Sequence, residues 1–264
     1  MSKNTEQPFV SIIIRTCQRS EFLERALISI DKQSVKDFEV IIVEDGQGDS
    51  EEMVQVFSHL PIKYYSTGKK VGRTKAANIG MGLSNGEYIN FLDDDDLLLH
   101  NHIELFKQNA IDNPNYAVLH AASLERRVRY LSSSPLIMDV LLERVRYNTP
   151  LDKELIFFQN MFPIQAVMFK RSLSEEHGGM DETLDCLEDW DLWIRFSLNA
   201  EFKYFDIVTS VYHIPGKKFL FLRRKLLLKQ FEKKIQNKYI DYIKKQGYKR
   251  PNMFMRFKTK ISNK

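Results

Sequence analysis

The sequence has little cysteine and no long apolar run, and each shortage excludes a class of protein. Only two cysteines, Cys17 and Cys186, occur in 264 residues. They are too few for a disulfide framework and lack the spacing of a metal site, so we expect two buried, reduced thiols in a cytoplasmic protein. No stretch approaches the roughly 18 apolar residues that span a bilayer, and the polar opening does not resemble a signal peptide. We therefore expect a protein that does not cross a membrane.

Charge is distributed unevenly along an otherwise ordinary globular composition. Hydrophobic residues make up 43% and aromatic residues 12% of the chain, which argues against wholesale disorder. The formal net charge is +4, but residues 217–264 contain 17 Lys and Arg against two acids, whereas the rest contains 22 against 33. The split predicts an acidic domain at residues 1–215 and a basic extension at residues 216–264.

Short β-rich apolar runs alternate with amphipathic segments in the first half of the chain. This alternation is typical of a mostly parallel sheet with helices on both faces. A helix is expected after Ser20, which can act as its cap, and another from Gly72. The runs predicted as strands are residues 9–14, 38–43, 62–65 and 88–92, and a further helix is expected at residues 51–58.

The alternation loosens after residue 115, where we expect a second lobe built onto the same sheet. Residues 8–115 and 116–215 would then form the two halves of the domain. A helix is predicted through Trp190 and Trp193. The other predicted elements are strands at residues 116–121 and 165–170, helical stretches at 137–146 and 153–158, and a strand pair at 202–212.

Polar residues follow three of the predicted strands, where parallel α/β sheets bind their ligands. Arg15 and Thr16 end the first, Asp45 follows the second, and Asp93 to Asp96 follow the fourth. Four consecutive aspartates repel one another unless a cation neutralises them, and oxygen ligands favour Mg²⁺ or Mn²⁺. The alternative is a solvated acidic turn that caps the next helix. Capping explains one or two aspartates, so a metal site is the preferred interpretation.

A second acidic group, Glu188 and Asp189, begins the predicted helix that contains the tryptophans. First-turn acids complement a helix dipole, and Trp193 is interpreted as a core residue. Asp189 is also well placed as a general base, because a hydroxyl nucleophile must lose its proton to a positioned carboxylate. Asp191 is two positions on, about 200° around a helix, and should face elsewhere.

Five segments together resemble family 2 glycosyltransferases, which have the Rossmann-like GT-A fold. They occur in that family's order and spacing between about residues 8 and 213, although Arg15 stands where the family usually has proline. The segments are Phe9-Val-Ser-Ile-Ile-Ile-Arg-Thr-Cys-Gln-Arg19, Val43-Glu-Asp-Gly46, Asn78-Ile-Gly80, Gly86-Glu-Tyr-Ile-Asn-Phe-Leu-Asp-Asp-Asp-Asp96, and Gly178-Gly-Met-Asp-Glu182 with Glu188-Asp-Trp-Asp-Leu-Trp-Ile-Arg195.

The resemblance implies an inverting enzyme that transfers a sugar from a nucleotide-sugar donor, a UDP-sugar above all, with Mn²⁺ or Mg²⁺ as cofactor. Asp95 would be the main metal ligand, with Asp93 and His213 beside it. Asp189 would be the catalytic base, and Glu188 and Trp190 would lie on the acceptor side. The residues implied in donor binding are Arg15, Thr16, Asp45, Arg73, Asp93 and Asp94.

The basic extension leaves three interpretations open. Basic and apolar residues interleave in it, so it could lie on an anionic membrane, bind nucleic acid, or pack as an ordinary helix. Membrane contact is preferred and nucleic acid is not expected. We therefore expect a cytoplasmic enzyme that can lie on the cytoplasmic face of the membrane. Its expected role is in the assembly of bacterial surface polysaccharide or lipid-linked glycan.

Two rival functions are weighed against the transferase. A sugar nucleotidyltransferase would carry a Gly-rich phosphate loop after the first strand, and residues 15–20 contain no glycine. A non-catalytic nucleotide-sugar or glycan-binding module would have lost a metal aspartate or the base, yet Asp95 and Asp189 are both present.

Overall fold

The computed structural model describes residues 7–216 and 218–250, except for the side chains of residues 218–224. Within that part of the chain, one sheet of nine strands runs through the molecule in the order β3-β2-β1-β4-β8-β6-β9-β5, with β7 paired to β6. The strands are β1 (Val10–Thr16), β2 (Phe38–Glu44), β3 (Ile62–Ser66), β4 (Tyr88–Asp93), β5 (Leu97–Leu98), β6 (Val118–Ser133), β7 (Leu136–Arg146), β8 (Val167–Lys170) and β9 (Phe202–Pro215).

Helices cover both faces of this sheet. Two 3₁₀ turns, Leu155–Phe157 and Ile164–Ala166, lie in the long connection before β8. The helices are α1 (Ser20–Asp31), α2 (Glu51–Gln55), α3 (Arg73–Leu83), α4 (His102–Asp112), α5 (Arg171–His177), α6 (Glu188–Ser197), α7 (Lys218–Lys238) and α8 (Ile240–Gln246).

The first four strands in the order form the parallel half of the sheet. Strand β1 lies between β2 and β4, and all three run in the same direction. All seven residues of β1 are buried, as expected for a strand covered on both faces. Ile12 and Ile14 pack toward α1 and α4, whereas Ile13 packs toward α3 and α6. The strands therefore end side by side, with Arg15 between Val43 and Asp93.

The second half of the chain extends the sheet with mixed pairing. Strand β8 is antiparallel to both β4 and β6, and β9 runs parallel to β6. The short β5 pairs antiparallel with β9. The predicted α/β sheet flanked by helices is thus present, parallel in its first half and mixed in its second.

Three predicted elements differ from the structure. Residues 137–146 lie in β7 rather than in a helix, because they pair antiparallel with residues 123–132 of β6. Residues 202–212 belong to one continuous strand, β9, rather than a strand pair, and the predicted helix at 153–158 is only a 3₁₀ turn. Ser20 is the first helical residue of α1 and makes no capping bond; Arg19 occupies the cap position. Cys17 and Cys186 form no disulfide, and both are half-buried, not buried as expected.

The described part of the basic extension packs against the domain. Ile235 of α7 is fully buried and Ile243 of α8 is 7% exposed, both in the cluster that contains Trp193. Lys238 forms ion pairs with Asp181 at 2.7 Å and Asp191 at 2.8 Å. Packing therefore accounts for this stretch, and the domain boundary at residue 215 stays a prediction. Within residues 7–216 and 218–250, no helix is long and apolar enough to cross a membrane.

Candidate active site

The strand ends of β1 and β4 and the start of α6 meet around a buried arginine. Arg15, only 7% exposed, places Nη2 at 2.5 Å from Asp93 Oδ1 and Nη1 at 2.7 Å from Glu188 Oε1. Burial alone would lower the pKa of Arg15, but the two carboxylates raise it above its usual value. A buried guanidinium with two carboxylate partners is permanently charged. It links the end of the parallel sheet to the helix that carries Asp189.

Arg73, the first residue of α3, adds a second link between the same two acids. Its Nε lies 3.0 Å from Glu188 Oε1 and its Nη2 lies 3.4 Å from Asp93 Oδ2. Burial opposes ionisation of Asp93, yet Arg15 and Arg73 hold its pKa down at about 2. With 46% of its side chain exposed, Arg73 is the member of this network that can also reach a ligand.

A third arginine, Arg19, pairs with two further aspartates of the cluster, Asp94 and Asp95. Arg19 Nη1 lies 2.6 Å from Asp94 Oδ1, and Arg19 Nη2 lies 2.9 Å from Asp95 Oδ2. The hydroxyl of Thr16 donates to Asp94 Oδ2 at 2.8 Å. Burial nevertheless raises the pKa of Asp94 to about 7. Arginines thus offset part of the mutual repulsion for which a metal ion is predicted, while Asp95 and Asp93 still contribute to the raised pKa of Asp94.

Two residues beside this cluster have the chemistry of metal ligands, a smaller set than predicted. His213 is 5% exposed; its Nδ1 lies 3.7 Å from Asp96 Oδ1, and neither ring nitrogen has a partner within hydrogen-bond distance among the described residues. Burial lowers the pKa of His213 to about 4, so the ring is neutral and able to ligate. Asp95 uses one oxygen for Arg19 and keeps its side chain 31% exposed.

Asp93 does not join these two residues, because Arg15 and Arg73 engage it. Among residues 7–216 and 218–250, no three His, Cys, Asp or Glu side chains are arranged to hold a metal. Two ligands suit Mg²⁺ or Mn²⁺, which take their remaining oxygens from substrate phosphates and water.

Asp45, predicted to contact the nucleotide base, organises the loop before α3. Its carboxylate accepts backbone hydrogen bonds from Val71 at 2.5 Å and Gly72 at 3.0 Å. Gly72 has a φ of +101°, a conformation that favours glycine. This loop ends at Arg73, so Asp45 fixes the point from which that arginine projects. A contact between Asp45 and the base of a bound nucleotide stays a prediction.

Asp189 lies at the start of α6 and is held by two donors. Asn160 Nδ2 donates to Asp189 Oδ2 at 2.9 Å, and the Trp190 backbone N–H donates to Oδ1 at 2.8 Å. Burial, with the nearby charge of Glu188, raises the pKa of Asp189 to about 6. Such a carboxylate is ionised at neutral pH but basic enough to accept a proton. Asn160 was missed by sequence reasoning, because it lies in an irregular segment 29 positions before its partner.

The two residues that follow Asp189 on α6, Trp190 and Asp191, do not face the site. Trp190, predicted on the acceptor side, is fully buried, and its indole N–H donates to the carbonyl of Ile156 at 2.5 Å. It therefore supports the core and does not face the site. Asp191 pairs with Arg195 at 3.0 Å and accepts from Tyr239 at 2.8 Å. Its expected orientation away from the base is found.

The Gly178-Gly179 turn docks the second lobe onto α3. Arg195 Nη1 donates to the carbonyl of Gly178 at 3.1 Å, and Nη2 donates to that of Gly179 at 2.5 Å. A Cβ on Gly179 would lie only 2.5 Å from Asn78 Oδ1. Asn78 in turn accepts from the Met180 backbone N–H at 2.8 Å. The two motifs that carry these residues are thus parts of one packed contact.

A sheet of this topology, with an acidic cluster at the carboxyl ends of its parallel strands, is typical of the GT-A fold. S. aureus TarS 1–349 in complex with UDP-GlcNAc has a TM-score of 0.64 at 17% identity, covering 80% of this chain and 60% of that one. The mannosyltransferase PcManGT from Pyrobaculum calidifontis, in complex with GDP-Man and Mn²⁺, has a TM-score of 0.61 at 17% identity, covering 81% and 59%. These likenesses confirm the GT-A fold.

The chain belongs to glycosyl transferase family 2, whose model matches residues 11–178. An uncharacterized glycosyltransferase of Rickettsia typhi is 29% identical over 218 residues. That alignment covers 78% of this chain and 64% of the relative, so the chain spans a little under two thirds of that protein's length. The family resemblance seen in the sequence is confirmed, and the protein is a glycosyltransferase by family.

Proposed function

We propose that the protein transfers a sugar from a UDP-sugar to an acceptor hydroxyl, with inversion at the anomeric carbon. The observation that carries the proposal is the environment of Asp189. It is a carboxylate of raised pKa, oriented by Asn160, and Glu188, the residue before it, is tied through Arg15 to Asp93 at the end of β4. Base and donor-side residues therefore have a fixed relation to each other.

The reaction is a single displacement. The acceptor oxygen attacks the anomeric carbon, and its proton passes to the free lone pair of an Asp189 carboxylate oxygen. The bond from the anomeric carbon to the β-phosphate oxygen breaks, and the nucleoside diphosphate leaves. A base on the face opposite the leaving group requires inversion, and general base catalysis of such a step contributes about 10²–10⁴-fold.

Charge at the leaving group would be met by the aspartate edge of the sheet. Asp95 and His213 would hold Mn²⁺ or Mg²⁺, which supplies neutralisation of the departing diphosphate when bound. Arg73, whose side chain is 46% exposed, would donate to a phosphate oxygen. The complexes of TarS with UDP-GlcNAc and of PcManGT with GDP-Man and Mn²⁺ support a nucleotide-sugar donor and a divalent ion.

We further propose that the acceptor is a lipid-linked or surface glycan and that the enzyme works on the cytoplasmic face of a bacterial membrane. Support comes from the charge of residues 217–264, with 17 Lys and Arg against two acids. On α7, Leu226 is 72% and Leu227 44% exposed, beside the exposed Lys225 and Lys229. Apolar and basic side chains on one exposed segment suit an anionic lipid surface.

Product stereochemistry tests the central proposal. The protein is incubated with Mn²⁺, a panel of α-linked nucleotide sugars and a soluble acceptor analogue, and the anomeric configuration of the product is read by NMR. We expect a β-linked product from one UDP-sugar. A product that retains the α configuration would exclude Asp189 as the base of a single displacement. Transfer to the acceptor at the full rate in EDTA would exclude the metal-dependent mechanism.

A further inference from the structure

We infer that Arg19 is a resident counter-cation for the metal-ligand carboxylate, so that a divalent ion enters together with a diphosphate and binds poorly alone. The inference rests on the proposed function, because it takes Asp95 as a metal ligand. It concerns which cation, Arg19 or the divalent ion, pairs with Asp95 before and after the diphosphate binds. Neither the family nor the sequence motifs assign this part to Arg19.

Arg19 pairs with the same carboxylate, that of Asp95, that is proposed to bind the metal ion. Its two Nη atoms reach Asp94 Oδ1 at 2.6 Å and Asp95 Oδ2 at 2.9 Å. One guanidinium thus bridges two adjacent carboxylates, as a planar fork allows. A divalent ion that approaches Asp95 meets this charge and must compete with it for the same carboxylate.

Arg19 differs from the other arginine of the cluster in how it is held. Arg15 has a side chain only 5% exposed between two carboxylates, and moving it would leave buried charges unpaired. The side chain of Arg19 is 37% exposed and its outer face stacks on the Phe22 ring, 4.2 Å from the centroid. It can leave Asp95 and remain in water or contact a ligand, so it is the exchangeable cation.

The consequence is a coupling between the metal and the diphosphate. Without a nucleotide, a bound metal places two further positive charges next to Arg19, which destabilises the metal. A diphosphate adds negative charge that accepts both the metal and the released guanidinium. Each ligand should therefore strengthen binding of the other by the same factor, as linkage requires.

Titration of the full chain with Mn²⁺, followed by electron paramagnetic resonance with and without UDP, tests this account. We expect the wild type to bind Mn²⁺ at least about tenfold more tightly with UDP. Arg19→Gln should bind Mn²⁺ alone about five- to tenfold more tightly than the wild type. The enhancement by UDP should shrink accordingly. Arg19→Lys keeps the charge and should stay close to the wild type.

Lys32→Gln is the control, since it removes one positive charge from the opposite end of the same helix, about 20 Å from Arg19, where the Lys32 side chain is exposed. It should change the affinity for Mn²⁺ by less than about twofold. Equal affinity for Mn²⁺ alone in the wild type and Arg19→Gln, with the UDP enhancement intact, would overturn the inference and leave the proposed function standing. If Arg19→Gln does not fold, tight binding of Mn²⁺ alone by the wild type would overturn it. No binding of Mn²⁺ even with UDP would refute this inference together with the metal ligands proposed at Asp95 and His213, whereas inverting transfer by Asp189 is tested separately by product stereochemistry.

Discussion

At the residue scale, two hydrogen bonds orient the carboxylate of Asp189, the proposed general base. Asn160 and the Trp190 backbone fix both oxygens of Asp189, while burial raises its pKa to about 6. Asp189→Asn preserves the shape and removes the basicity. We expect kcat to fall about 10²–10⁴-fold with donor affinity nearly unchanged, measured by transfer kinetics and calorimetric titration of the donor. Collapse of donor binding with turnover intact would show that Asp189 is not the base.

The hydrogen bond from Asn160 to Asp189 should affect the pH dependence of kcat. A base acts only when deprotonated, so kcat should fall below pH about 6, tenfold per unit, and be level above it. The hydrogen bond from Asn160 favours the charged form of Asp189 and lowers its pKa. Asn160→Ala should therefore move the acid limb to higher pH. A purely structural role would lower kcat equally at every pH and leave the limb in place.

Sequence reasoning placed Asp95, Asp189 and His213 at the site through the family resemblance, but it gave Arg19 no role and did not reveal which charges pair. In the structure Asp95 follows β4 by two residues, Asp189 is the second residue of α6, and His213 lies two residues before the end of β9; their roles stay predictions. The aspartate cluster was interpreted as needing an external cation, whereas Arg15, Arg19 and Arg73 supply the charge. Pairs such as Arg15 with Glu188 are 173 positions apart. Sequence spacing carries no information about such contacts.

At the scale of elements, α3 joins the donor loop to the second lobe. Its first residue, Arg73, contacts Glu188, and its Asn78 holds the Gly178-Gly179 turn. Gly179→Ala should destabilise the protein by about 1–3 kcal/mol, because the new Cβ would meet Asn78 Oδ1 at 2.5 Å. Urea unfolding, followed by circular dichroism, measures the difference.

Gly82, also on α3, provides the matched control. It is exposed, and a Cβ there would have no heavy atom within 4 Å. Gly82→Ala should stabilise the protein by about 0.5 kcal/mol or less, because Gly82 lies in the last turn of α3, where the cost of glycine relative to alanine is smaller than in a helix interior. If both substitutions shift the unfolding midpoint in the same direction, the close approach at Gly179 is not what governs its response.

The hairpin of β6 and β7 shows where local pattern misleads. Residues 137–146 have helix-compatible composition, yet they pair with β6 through cross-strand ion pairs, Arg126 with Glu143 at 2.6 Å and Arg129 with Asp139 at 2.5 Å. Cross-strand neighbours, which sequence periodicity does not reveal, decide the conformation of such a segment.

At the scale of the whole molecule, the basic extension has a part that packs against the core, around Ile235 and Ile243, and an exposed part around Lys225 and Lys229. Ile235 and Ile243 belong to the core, so removing all of α7 and α8 would expose that core. A gentler test is Lys225→Gln with Lys229→Gln on the exposed side of α7. At about 1 kcal/mol for each lysine, binding to vesicles with anionic lipid should weaken about 30-fold, measured by cosedimentation.

Neutral vesicles and added salt are the controls for this prediction. The wild type should bind neutral vesicles weakly, and salt should reduce its binding to anionic ones. Equal binding of wild type and double variant to anionic vesicles would contradict an electrostatic contact through this part of α7. Transfer to a soluble acceptor should be unchanged in the variant, because neither lysine lies in the described site.

The sequence by itself determined the α/β class, the family and the strand ends at which the chemistry collects. These follow from local patterns: apolar runs form strands, parallel strands end together, and the residues after them share one edge. Only the tertiary structure decided that Asn160 orients Asp189, that Trp190 faces the core, and that three arginines pair with Asp93, Asp94 and Asp95. Those outcomes depend on charges and hydrogen-bonding groups meeting across distant segments in a buried space, where an unpaired group is costly. The fold alone brings such groups together.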